Sequence, residues 1–174
     1  MYTPLNNITN PETDVNIERV IDSESPLAEQ NPSGQGISNA LSITFGAAES
    51  NDFVSLSAAG ELTIVTSGTY RIKISYEFGR SGSAGTAHLY AFAEVNGVQA
   101  GRSVFDRVVN ANDVRSFEND SWLYLPSGTV IKYKMIRDEA GSDSGGLIRS
   151  EPTNPLINAA PCASLRVEKW ARYP

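Results

Sequence analysis

Few residues of this chain could do chemistry, and their spacing argues against most of it. His88 is the only histidine. A multi-histidine metal site therefore cannot be built, and most histidine-based triads are excluded. His88 lies in an alternating segment beside Tyr90 and Phe92, where a lone imidazole reads as a surface or contact residue. Cys162 is the only cysteine and has no histidine near it in sequence, so it reads as a packed, inert thiol. Asp138, Glu139 and Asp143 share the loop RDEAGSDSGG (137–146). A helix–loop–helix calcium site needs oxygen ligands at alternating positions and a closing bidentate glutamate; here Ala140 breaks the alternation and no such glutamate follows. Glu118 and Asp120 stand two apart, so on a strand they share one face, too close for most inverting carboxylate pairs. The glycine-rich loop 79–86 lacks the lysine and following helix of a phosphate loop. The expectation is a protein that is not an enzyme and requires no metal and no cofactor.

The elements that would position these residues are strands. In GELTIVTSGTYRIKISYEF (60–78), Tyr70, Ile72, Ile74, Tyr76 and Phe78 alternate with Arg71, Lys73, Ser75 and Glu77. Side chains of a strand point to opposite faces with a period of two, so this is a long strand with one buried face. Leu62 and Ile64 alternate likewise before the bend at Gly68, which makes the stretch a hairpin or a corner between two sheets. Further strands are predicted at 41–45, 53–56, 87–95, 116–125, 129–136 and 163–170, with a short edge at 101–105 and a hairpin turn at Asn96-Gly97. About eight strands with frequent turn signals and no convincing helix imply an antiparallel β-sandwich or jelly roll.

Composition divides the chain at residue 38. Residues 1–38 carry six acids against Arg19 alone, together with Pro4, Pro11, Pro26 and Pro32. Such a segment buries little of itself, and it is expected to be an extended acidic arm ahead of a sandwich domain at 39–174. Its apolar cluster, Val15, Ile17, Val20 and Ile21, suits a short helix or a strand and is its candidate anchor. A net charge of −6 argues against nucleic acid. No leader peptide and no membrane-spanning run is legible, and the single cysteine suits assembly in a reducing cytoplasm.

Aromatic residues also fall on the face that the core does not claim. Ala87, Leu89, Ala91, Ala93 and Val95 fit a core, which leaves His88, Tyr90 and Phe92 pointing away. Trp122 and Tyr124 oppose Phe117, Leu123 and Leu125, and Tyr133 lies in a strand with apolar residues of both parities. Either the chain folds a loop or its own arm over these rings, or they form a subunit interface, which favours Tyr, Trp and Phe.

The stretch 60–78 resembles the central part of jelly rolls of the tumour necrosis factor and complement globular-head type. In these a Gly-x-Tyr enters a long strand after a short one; Gly60, Leu62, Ile64, Gly68 and Tyr70 hold those places. LYLPSGTVIKYKM (123–135) resembles the family's later hairpin, with Thr129 where an aspartate is common. ASLRVEKW (163–170) resembles its last strand, with Ala163-Ser164 in place of a Phe-Gly approach. The resemblance implies a homotrimer packed around aromatic residues, here Tyr90, Phe92, Trp122, Tyr124 and Tyr133. Among intracellularly assembled relatives it implies a bacteriophage virion protein. The reading is a capsid decoration (cement) protein that grips the major capsid protein of the head shell through its arm. A fibre or receptor-binding head is the alternative.

Overall fold

The computed structural model describes residues 15–24, 29–80, 85–108, 110, 113–149, 152–154 and 156–172; of 15–20, 22–23 and 171–172 it describes the backbone alone. Most of the loop 79–86 therefore lies outside the described residues. Among the described residues twelve strands form two antiparallel sheets. The first sheet orders β1 (Val15–Glu24), β12 (Ala163–Arg172), β6 (Gly68–Gly79) and β9 (Val114–Leu125), with the short β11 (Gly146–Leu147) also on β6. The second orders β3 (Glu49–Ser50), β4 (Val54–Leu56), β5 (Glu61–Ile64), β10 (Val130–Arg137), β7 (Ala87–Val95) and β8 (Val98–Val108), and β2 (Leu41–Ser42) pairs with β10. The chain crosses between sheets from β5 to β6, β6 to β7, β8 to β9 and β9 to β10, which makes the fold an antiparallel jelly-roll sandwich. The bend at Gly68 is thus a sheet-to-sheet corner and not a hairpin.

The alternation in β6 is realised as a buried face. Tyr70, Ile72, Ile74, Tyr76 and Phe78 are at most 3% exposed and meet Leu62, Ile64, Leu89, Ile131 and Met135 of the facing sheet in one core. The Tyr70 hydroxyl donates to the Thr66 carbonyl at 2.5 Å, with the Phe53 carbonyl 3.2 Å away, and so fastens the corner to the β3–β4 side. Asn96 and Gly97, both at positive φ (51° and 81°), close the two-residue β7–β8 turn that the Asn-Gly pair predicts. Gly60 (φ 76°) lies so close to β2 that an added Cβ would overlap the Ile43 carbonyl oxygen. Gly60→Ala is therefore expected to cost about 2 kcal/mol or more, from left-handed backbone strain plus the overlap. Urea unfolding of the variant checks this.

Two expectations change here. Residues 15–24 are not a free arm: they form β1, paired with β12 through nine residue pairs from Val15–Arg172 to Glu24–Ser164, and Ile21 belongs to the core at 2% exposure. β-branched residues at Val15, Ile17, Val20 and Ile21 favour the strand over the helix. An anchor that includes Ile21 is thereby excluded, because its side chain is already spent on the core; the side chains of Val15, Ile17 and Val20 lie outside the description. The second change is β8, an eleven-residue strand where a short edge at 101–105 is predicted. Its pattern is hidden by a bulge: Ala91 faces Val104 and Ala93 faces Ala100, so Gly101, Arg102 and Ser103 oppose Phe92 alone. Gly101 sits at φ 71°, as such bulges require.

Candidate functional site

The outer face of the first sheet is a ladder of paired charges that ends in aromatic rings. Alternation turns Arg71, Lys73, Ser75 and Glu77 of β6 away from the core, and the register places them opposite Trp122, Asp120, Glu118 and Ser116 of β9. Arg71 forks onto Asp120, with its Nη2 at 2.6 Å and Nε at 3.0 Å from the carboxylate oxygens, and reaches Glu168 at 3.5 Å. Arg166 holds the other oxygen of Glu168 at 2.6 Å, and Lys73 holds Glu118 at 2.9 Å. The Ser116 hydroxyl donates to Glu77, and the Ser75 and Ser164 hydroxyls share a hydrogen bond. Glu118 and Asp120 share a face, as their spacing predicts, and each is neutralised by a cation.

The Arg71 N–H donors hold the Asp120 carboxyl below the usual carboxylate range against a smaller opposing effect of burial, and Asp120 raises Arg71 in return. A folded value below the unfolded one, about 3.9, gives stability that is complete above that pH and lost as pH falls through the folded value. Both side chains are about one-third exposed (35% and 33%), so the effect is modest. Asp120→Asn is expected to lower stability at pH 7 by about 1 kcal/mol or less, with the difference from wild type shrinking as pH falls below the ordinary carboxylate range. Urea midpoints across that pH range check it.

At one end of this ladder the charges stop. Trp122 is 48% exposed; it meets Trp170 edge to face at 4.4 Å, and the Arg71 guanidinium lies 5.5 Å from its ring centre. Tyr124 is 70% exposed and stands opposite Thr69. These two rings are the exposed aromatic surface of the first sheet among the described residues.

The remaining predicted contact residues are not brought to this patch. Tyr90 lies on the outer face of the second sheet, half-buried and stacked on Phe105 at 4.5 Å, with His88 edge-on to Phe105 at 5.7 Å. Phe92 is 5% exposed at the β8 bulge, and Tyr133 is 8% exposed in the core, edge-on to Phe45 at 6.1 Å. Phe92 and Tyr133 are covered by their own chain, so the expectation that they form subunit contacts is replaced. The reason is geometric: the bulge leaves Phe92 under β8, and Tyr133 shares the inward parity of Ile131 and Met135. Phe105, which Tyr90 stacks on, was missed because the bulge shifts its parity.

The other candidates are structural in their described surroundings. The Cys162 thiol is buried and lies 3.5 Å from the Gln30 carboxamide nitrogen. Asp138 accepts the Ala140 N–H within its own turn, and Asp143 pairs with Arg137 at 3.1 Å. Among the described residues no group of three His, Cys, Asp or Glu is placed to hold a metal ion. Asp106 of β8 and Arg115 of β9 pair from one sheet to the other at 3.1 Å.

Neither a protein-family profile nor a curated protein matches the sequence. Solved structures similar to the chain include the Eiger TNF of S. frugiperda, with a TM-score of 0.45 and 12% identity over 90% of this chain and 96% of that one. Murine APRIL is also similar, with a TM-score of 0.45 and 14% identity over 87% of this chain and 98% of that one. The order of strands in the two sheets is itself that of an antiparallel jelly roll, the architecture that the motifs around Gly68-Thr69-Tyr70 imply.

Proposed function

We propose that this chain is a structural protein of a virus particle, a homotrimer that decorates the outer head shell of a bacteriophage and stabilises it. The observation that carries the reading is the Trp122–Tyr124 patch. Two aromatic rings, 48% and 70% exposed, end an otherwise charge-paired face. Exposed aromatic residues beside an arginine are the composition of a protein contact. The ladder beside them offers both signs of charge, which suits a repeated contact between copies. The carboxylates that could have served catalysis are instead tied to Arg71, Lys73, Arg137 and a turn N–H. That arrangement favours a scaffold over an enzyme.

With residues 15–24 committed to β12, the grip on the major capsid protein falls to the segment ahead of β1, which carries Pro4, Pro11, Glu12 and Asp14. Three such segments per trimer would multiply a weak contact into a firm one. The test uses particles that lack the protein. Added back, the full chain is expected to coat the head and raise the temperature at which particles release their genome, and a chain lacking residues 1–14 is expected to remain trimeric without coating. Particles without the protein should still adsorb to host cells. If its loss abolishes adsorption instead, the chain is a receptor-binding head and the decoration reading is wrong.

A further inference from the structure

A cavity of about 280 Å³ lies between the two sheets, lined by residues of β6, β7, β8, β9 and β10. Its walls are apolar, from Ile72, Ile74, Ala91, Val104 and Ile131. Two tyrosines also line it, Tyr76 at 3% and Tyr133 at 8% exposure, and neither hydroxyl has a hydrogen-bond partner among the described residues. Residues that line a cavity and carry hydroxyls unengaged by the protein can hydrogen-bond to a molecule that enters it. Burial raises both phenols above their ordinary value, and in Tyr76 the neighbouring Tyr133 adds to it, so both remain protonated donors through physiological pH.

The lip continues the same chemistry. Arg102, on the bulge of β8, is exposed and makes no ion pair among the described residues. Asn119 and Ser121 of β9 line the opposite side, with the Ser121 hydroxyl donating to Asn119 Oδ1 at 3.0 Å. The free polar groups are thus hydroxyls, which can donate as well as accept, and one cation, set around an apolar chamber. Few convergent polar groups in an apolar cavity are the usual make-up of a small-molecule site.

We propose that this cavity binds a small amphiphilic carboxylate, its apolar body between the sheets and its carboxylate held by Arg102 and the unpaired hydroxyl donors. A chamber of this size between the sheets has room for a short apolar chain. The site stands on residues separate from Trp122 and Tyr124 and does not rest on the assembly proposed above.

Titration calorimetry of the full chain with sodium octanoate, octylamine and octan-1-ol tests it. Octanoate is expected to bind saturably at one site per chain, at least tenfold more tightly than either of the others. Arg102→Gln should bring octanoate down to the level of octanol, and Tyr133→Phe should weaken octanoate several-fold while leaving the melting temperature unchanged. Absence of saturable octanoate binding to the wild-type chain at millimolar concentration would overturn the proposal. So would equal uptake of octanoate and octylamine. A fall in sedimenting mass on adding octanoate would also overturn it, since the cavity would then be filled by a second copy of the chain.

Discussion

Deleting residues 1–24 is expected to unfold the domain, whereas deleting residues 1–14 leaves it folded. β1 supplies an entire edge of the first sheet, bonded along β12 through nine residue pairs, and Ile21 sits in the core beside the strand that carries Val167. Without β1, the long β12 becomes an open edge with apolar residues on one face, a liability for any sheet. Ile21→Ala alone should cost about 2–5 kcal/mol, a large part of the roughly 5–15 kcal/mol that holds a domain together. Removing the whole strand adds the loss of its hydrogen bonds to that. Circular dichroism and urea unfolding of the two truncations, with the point variant alongside, check the prediction. A cooperative native-like transition for the 25–174 fragment would show that β1 is an accessory strand.

The second large effect is expected from Trp122→Ser combined with Tyr124→Ser. Both rings are largely on the surface of the single chain, so their loss should leave an isolated protomer folded, at a cost of about 1–2 kcal/mol from the Trp122 contacts with Trp170 and Arg71. In the assembly the same change should be severe. Fully burying an aromatic ring is worth about 1.5–3 kcal/mol. Trp122 is already half covered by Trp170, so the pair should contribute about 2–4 kcal/mol at each contact, and association weakens by roughly 30- to 1,000-fold per contact. A cyclic trimer repeats that loss three times. The double variant is therefore expected to be a folded monomer at micromolar concentration. An oligomer that survives the double change would place the contact elsewhere, with Tyr90 and Phe105 on the outer face of the second sheet as the next surface to vary.

The sequence made some of this legible and hid the rest for definable reasons. The period-two alternation from Tyr70 to Phe78 reports burial directly, because every second side chain of a central strand must enter the core. The Asn96-Gly97 turn was legible because positive φ at two successive residues restricts the choice to such pairs. Residues 15–24 were misread as part of an arm because an edge strand needs few aromatics and tolerates charge, so its composition looks like that of an unstructured segment. Among the described side chains of β1, Ile21 is the one in the core, and a single position carries no periodic signal. Trp122 and Tyr124 were placed on the outer face correctly, since β9 is regular through its pairing with β6. Tyr90 and Phe92 belong to the strand opposite a bulge, where counting by twos along one chain says nothing of what the neighbour covers. Arg102 and the hydroxyls of Tyr76 and Tyr133 had no signal at all, because a cavity between sheets is a property of strands that face each other only in the fold.

The central claim is that copies of this chain assemble as a closed trimer. Sedimentation equilibrium of the full chain at micromolar concentration measures this directly. The expected result is one species at three times the protomer mass of 18.8 kDa, falling to a single protomer in the Trp122→Ser/Tyr124→Ser variant. A wild-type chain that sediments at 18.8 kDa across that range would contradict the account.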